Sequence, residues 1–282
     1  MTFTAGLDVG SAYTKALILN RDGEPVARAM VKTGFRMAEA AERAYRSALE
    51  QAGLAQGDIG YLVSTGYGRL QVALRDTQVT ELTAQAHGVR RLFPRTATVL
   101  DVGGQTMKAL KLDPRGRVVS FRLNEKCAAG TGAFLEKTAR YLGFELAVIS
   151  QLVDEASEPV PISSVCAVFA ESEVINHVSA GCAPGDIVLG AVVSLAERAV
   201  QLMKRVRAEP EFTLVGGILR FKAMGRVVGQ LLKAPVNVPE GEMAQFCGAL
   251  GAATLARRRL AKLGGRREAA PPDRQPLVSA AV

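Results

Sequence analysis

The chain has 282 residues, 48% of them hydrophobic, with a net charge of +8, four cysteines, two histidines and no tryptophan. That apolar content can fill a large core and points to two lobes. The absence of a membrane-length apolar run and of a charged-then-apolar leader gives the expectation of a cytoplasmic protein, with no membrane partner. Aromatic residues at 5% speak against a stacking platform for single-stranded nucleic acid, and two histidines leave little for a His-based metal site.

In chain order, residues 4–9 and 14–19 read as strands, Arg21-Asp22-Gly23 as a hairpin turn and residues 24–31 as a third strand. Residues 36–52 carry helical spacing, with Ala40, Ala44, Ala48 and Leu49 on one face and Gly53 as the stop. A strand over 59–65 leads into Gly66-Tyr67-Gly68-Arg69, and a helix is expected over 80–92.

The opening pattern then returns. Residues 8–24 align without gaps on residues 101–117, at an offset of 93, with eight of 17 positions identical. A repeat of this kind implies two related lobes, each beginning strand–turn–strand. Its chemistry is legible. Asp8 and Asp101 end strands, and Gly10 and Gly103 make tight turns where backbone N–H groups approach a phosphate. Small or polar residues follow (Ser11; Gly104, Gln105 and Thr106), with Lys15 and Lys108 further along. Two such turns facing one another would clamp a triphosphate, with Asp8 and Asp101 toward Mg²⁺ and Gln105 or Asp101 positioning the attacking water.

A strand over 117–123 precedes Asn124-Glu-Lys-Cys-Ala-Ala-Gly-Thr-Gly-Ala-Phe-Leu-Glu136, where Cys127 stands three residues before a Gly130-Thr131-Gly132 turn that opens a helix running to Leu142. A helix start favours anions, both phosphate and a negatively charged metal–sulfur centre. A short helix is expected over 145–153, and Cys166 marks a second place where a cysteine meets a helix start, with Cys182 and Cys247 reading as packing residues. No CxxC occurs, which speaks against a zinc ribbon or thioredoxin-type site. In a reducing compartment the thiols are free or ligate metal. A long helix over 185–207, a strand over 212–215 and Gly216-Gly217 follow, the glycine pair allowing close approach of an adenine ring. Residues 221–232 read as helix, 236–238 as strand and 240–262 as a terminal helix. Arg257, Arg258, Arg259, Lys262, Arg266 and Arg267 form a basic end, read as a solvated helix end and otherwise as an attraction for an acidic partner or an anionic thioester. The expected division is a first lobe over 1–95, completed by the helix 243–262, a second lobe over 96–242, and a disordered basic tail over 263–282.

The ordered set DVGSAYTK, STGYGR, DVGGQ, NEKCAAGTGAFLE, SSVCAVFAESEVINHVS and VGGI resembles the ATPase family of benzoyl-CoA reductase subunits and activators of 2-hydroxyacyl-CoA dehydratases. The resemblance covers about residues 4–260. It implies the α/β, two-lobed fold of acetate kinase, heat-shock ATPases and actin, with duplicated mixed sheets around a nucleotide cleft, and ATP with Mg²⁺ as cofactor. It also implies one 4Fe–4S cluster at a subunit interface, two cysteines from each chain, here Cys127 and Cys166. Features around Arg140–Gly143, Cys166-Ala-Val and the basic tail lean toward the smaller ATPase subunit of benzoyl-CoA reductase. That branch implies a paralogous ATPase partner, catalytic reductase subunits and ferredoxin as electron donor. The alternatives are a homodimeric dehydratase activator and, ranked lower, a cluster-free small-molecule kinase of the same superfamily.

Overall fold

The computed structural model describes residues 3–124, 131–145, 148–164 and 166–264. Cys127 and Gly130 lie outside the described residues. Two compact units emerge, one comprising Met1–Pro94 with Phe246–Val282 and the other Arg95–Gln245.

The first unit is built on β1 (Phe3–Val9), β2 (Tyr13–Leu19), β3 (Pro25–Lys32), α1 (Met37–Ala52), β4 (Ile59–Thr65), a two-residue β5 (Thr77–Gln78) and α2 (Glu81–Leu92). Its five-stranded sheet has the order β3-β2-β1-β4-β5, antiparallel through the first three strands and parallel from β1 to β5. The apolar residues of β1, β2 and β4 alternate between two buried faces. One face packs on Ala44, Tyr45 and Ala48 of α1. On the other, Tyr61 and Val63 meet Ala252, Ala256 and Leu260 of the C-terminal helix α8 (Met243–Lys262).

The second unit repeats the scheme. It contains β6 (Thr98–Val102), β7 (Met107–Leu112), β8 (Val118–Asn124), α3 (Gly132–Tyr141), α4 (Ile149–Asp154), α5 (Ala167–Ser179), α6 (Pro184–Arg205), β9 (Phe212–Val215), α7 (Lys222–Leu232) and β10 (Val236–Asn237). The sheet order is β10-β9-β6-β7-β8, the first sheet's order with each strand replaced by its counterpart. The central helix α6 buries Ile187, Ala191, Leu195 and Ala199 against the sheet and against Leu135 and Met224.

The repeat survives at the level of single hydrogen bonds. Gly23 N donates to Asn20 O, and Glu24 N to the Asn20 side chain; 93 residues on, Gly116 N donates to Asp113 O, and Arg117 N to the Asp113 side chain. A register shift at Ile18/Leu19 in β2 reappears at Lys111/Leu112 in β7. Asn20 and Asp113 act alike because each offers a short side-chain oxygen that closes the turn on a backbone N–H.

The element boundaries follow the sequence periodicity to within a few residues. β5 is too short to leave a pattern of alternation. The helix expected over 145–153 is described as Ile149–Asp154, and residues 146 and 147 of that expectation lie outside the described residues. Among the described residues no helix is long and apolar enough to cross a membrane.

Candidate functional site

Each unit carries the same carboxylate–turn–lysine cluster. β1 and β2 pair so that Asp8 lies opposite Lys15, and the two side chains meet at 3.8 Å. β6 and β7 place Asp101 opposite Lys108 at 3.5 Å. In both pairs the connecting turn closes by one bond: Gly10 N donates to Tyr13 O at 3.1 Å, and Gly103 N to Thr106 O at 2.8 Å. The hairpin register therefore brings a lysine, seven positions along the chain, back to the aspartate. The pair in the second unit is the drier, with each side chain 7% exposed, and Lys108 also donates to Thr106 Oγ1 at 3.0 Å. Ser11 and Gln105 are exposed at the tips of their turns, while Gly10, Gly103 and Gly104 are half-buried.

The strands parallel to β1 and β6 complete each cluster with a residue that the sequence reading left unassigned or assigned to adenosine. Gly66 follows β4 with φ +91°, and Gly216 follows β9 with φ +102°. A Cβ on Gly66 would stand 2.5 Å from Val9 O and 2.7 Å from Asp8 Oδ1; on Gly216 it would stand 2.3 Å from Val102 O and 2.6 Å from Asp101 Oδ1. Both the backbone conformation and the space exclude a side chain, so each aspartate is walled by a glycine of the neighbouring strand's turn. Asp8 has a second such wall at Gly248 in α8, where a Cβ would lie 2.8 Å from Oδ2. Thr65, opposite Asp8 across β1/β4, is fully buried with a hydroxyl that finds no partner among the described residues. Thr65, Gly66 and Gly216 sit where strands end, and the signal that could have found them was the common position of Gly66 and Gly216 after the strands parallel to the two DVG strands.

The helix start at Thr131 is built onto the second turn. Gly132 N donates to Gly103 O and Ala133 N to Gly104 O, at 3.0 and 2.9 Å. The first N–H groups of α3 are thus held by the Asp101 turn, and Gly132 lets the backbones approach. Thr131 is fully buried as the N-cap residue of α3. Gly217 opens a single 3-10 turn after Gly216, whose N–H is held by Ala244 O at 2.8 Å.

Cys166 is the N-cap of α5, extended in backbone (φ −131°, ψ 134°) and half-buried. The helix that it starts exposes Val168 (67%), Phe169 (63%) and Ile175 (46%). A Lys137 Nζ to Glu171 Oε2 bond of 2.6 Å ties α3 to α5. Among the described residues no group of three or more potential ligands gathers for a metal ion.

Comparison with known proteins places this arrangement. The model of the BadF/BadG/BcrA/BcrD ATPase family matches residues 5–256. The chain belongs to that family. The activator of lactoyl-CoA dehydratase from Anaerotignum propionicum is 41% identical over 254 residues, covering 90% of this chain and 97% of the relative. A benzoyl-CoA reductase subunit from Thauera aromatica is 33% identical over 278 residues, covering 94% of this chain and 97% of its own length. Among solved structures, the activator of the 2-hydroxyisocaproyl-CoA dehydratase from Clostridium difficile with bound ADPNP superposes with a TM-score of 0.89 at 37% identity, covering 94% of this chain and 97% of that one. The fold is the two-lobed, actin-like ATPase fold, and the chain binds ATP as an ATPase of this family. Of the two branches, these identities favour the alternative, a dehydratase activator, over the expected lean toward benzoyl-CoA reductase, since the dehydratase activator is the nearer relative of the two.

Proposed function

We propose that this chain is the ATP-dependent activator of a 2-hydroxyacyl-CoA dehydratase. The observation that carries the reading is the order of identities: 41% to a lactoyl-CoA dehydratase activator, against 33% to a protein of benzoyl-CoA reductase, each over nearly its whole length. The residues fit the chemistry. Gly10, Ser11, Gly103, Gly104 and Gln105 form the phosphate turns, Lys15 and Lys108 balance phosphate charge, and Asp8 and Asp101 orient Mg²⁺ or its waters. Gln105, exposed at the tip of the turn that follows Asp101, is the candidate for positioning the attacking water. Gly216 and Gly217 serve the adenosine side.

The donor set also fits an iron–sulfur cluster, on the following grounds. Cys166 stands at a helix start, where the dipole favours an anionic centre, and the helix around it exposes apolar surface that a second copy would cover. Cys127 belongs to the same proposed ligand set. Two thiolates per chain complete a four-cysteine site only when two chains meet. A 4Fe–4S cluster held there would supply a single low-potential electron. This chain's residues supply the coupling. The Asp101 turn holds the start of α3 through Gly103 and Gly104, α3 holds α5 through Lys137 and Glu171, and α5 begins at Cys166. A nucleotide-dependent shift of the turn is thereby passed to the ligand.

The test is reconstitution. Anaerobically purified protein, given ATP and a reductant, should switch on a 2-hydroxyacyl-CoA dehydratase that is inactive without it. Failure with dehydratases, combined with activity alongside the catalytic components of a reductase, would restore the benzoyl-CoA reductase reading.

A further inference from the structure

The turn between α5 and α6 holds a thiol that neither the nucleotide turns nor the proposed cluster uses. Cys182 is half-buried, with Sγ 3.8 Å from Nδ1 of His177, one turn back in α5. The other ring nitrogen, Nε2, lies 3.0 Å from Pro161 O. A carbonyl oxygen can only accept, so Nε2 carries the hydrogen of that bond, and in the neutral ring Nδ1 presents a lone pair to the sulfur. The backbone fixes the spacing, because Cys182 N donates to His177 O at 3.1 Å across Gly181, which is left-handed (φ +75°). These are the three parts of an activated nucleophile: a thiol, a base within reach, and a third group that sets the base's tautomer and orientation. Cys247, by contrast, is fully buried within α8.

We propose that Cys182 is a thiol–disulfide exchange site, with His177 as its base, taking a low-molecular-weight disulfide such as glutathione disulfide as substrate. In the forward step the thiol proton passes to His177 Nδ1 as Sγ attacks one sulfur of the disulfide. The new Sγ–S bond forms, the disulfide's S–S bond breaks, and the departing thiolate takes the proton back from the imidazolium. The protein thiol is oxidised and half of the disulfide is reduced. Charge developing in the step is favoured on both sides: the imidazolium forms in the last turn of α5, where a helix end attracts a cation, and the thiolate forms just ahead of the N-terminus of α6. The adduct would sit just past the C-terminal end of α5, the helix whose other end begins after Cys166.

The experiment uses the anaerobically purified full chain, exposed to glutathione disulfide, with adduct formation at each cysteine followed by peptide mass mapping. Cys182 should acquire one glutathionyl group ahead of Cys247. In His177→Gln its rate should fall by about tenfold or more, with the circular dichroism spectrum unchanged. In His177→Ala, added imidazole should restore the rate, a readout that a merely structural histidine would not move. An unchanged rate in His177→Gln, no recovery with imidazole, or modification of Cys247 before Cys182 would overturn the proposal. None of these outcomes depends on whether the chain activates a dehydratase.

Discussion

At the scale of single residues, the two aspartates are distinguished by their surroundings. Asp101 and Lys108 form a drier pair than Asp8 and Lys15, so removing one partner costs more in the second unit. Lys108→Met should destabilise the protein by on the order of 3–5 kcal/mol, and Lys15→Met by clearly less; urea unfolding of the two variants measures the difference. Asp101→Asn keeps the turn but removes the charge proposed to orient Mg²⁺. ATP hydrolysis should drop by roughly a hundredfold or more, while MgADP binding measured by calorimetry persists. Outside the site, one group links stability to pH. Burial first, and then the guanidinium of Arg258 at 3.2 Å, hold the His87 imidazole below its ordinary pKa. The unfolded chain therefore binds more protons than the folded one just below about pH 6.5. The stabilisation from neutral His87 is complete above that pH and is lost as the pH falls through the lowered folded value. His87→Gln should flatten the loss of unfolding free energy seen between about pH 7.5 and about pH 5.5.

At the scale of elements, helix propensity and packing pull in opposite directions at Gly251. Propensity alone favours alanine over glycine in the middle of α8 by about 1 kcal/mol. Yet a Cβ there would stand 1.8 Å from Ala84 O in α2, and one on Gly88 of α2 would stand 1.9 Å from Cys247 O. Two backbones in contact have no flexible side chain to give way, so Gly251→Ala should lower the melting temperature, the overpacking costing about 1–3 kcal/mol. The same facts show what could be read beforehand. The helices and most strands were legible because their apolar residues recur at the right periods, and the paired DVG turns were legible as a repeat. The glycines Gly66, Gly248 and Gly251 were not, because their role is to leave space for an atom far away in sequence, and the residue type gives no clue to which atom that is. The Asp–Lys pairing was half legible. Both residues recur at the offset of 93, but only the hairpin register shows that each lysine returns to its own aspartate.

At the scale of the whole molecule, the question is what one chain lacks. The second unit presents Cys166 at the start of a helix with exposed Val168, Phe169 and Ile175, and among the described residues no further ligands gather around a metal ion. The proposed site takes two cysteines from each chain, so four thiolates need a second contributor, and the apolar face beside Cys166 is the surface that such a contributor would bury. The resemblance implies that the two branches of the family differ in who it is, an identical chain in the activator and a paralogue in the reductase. Expression of this chain alone, under anaerobic conditions, decides between them. An activator should purify as a dimer with about two iron atoms per chain. Cys166→Ser should lose the iron yet keep MgADP binding, because the Asp101 turn is held by β6, β7 and α3 and not by the cysteine. An iron-free monomer that gains its cluster only when a paralogous chain is co-expressed would instead assign the protein to the heteromeric branch.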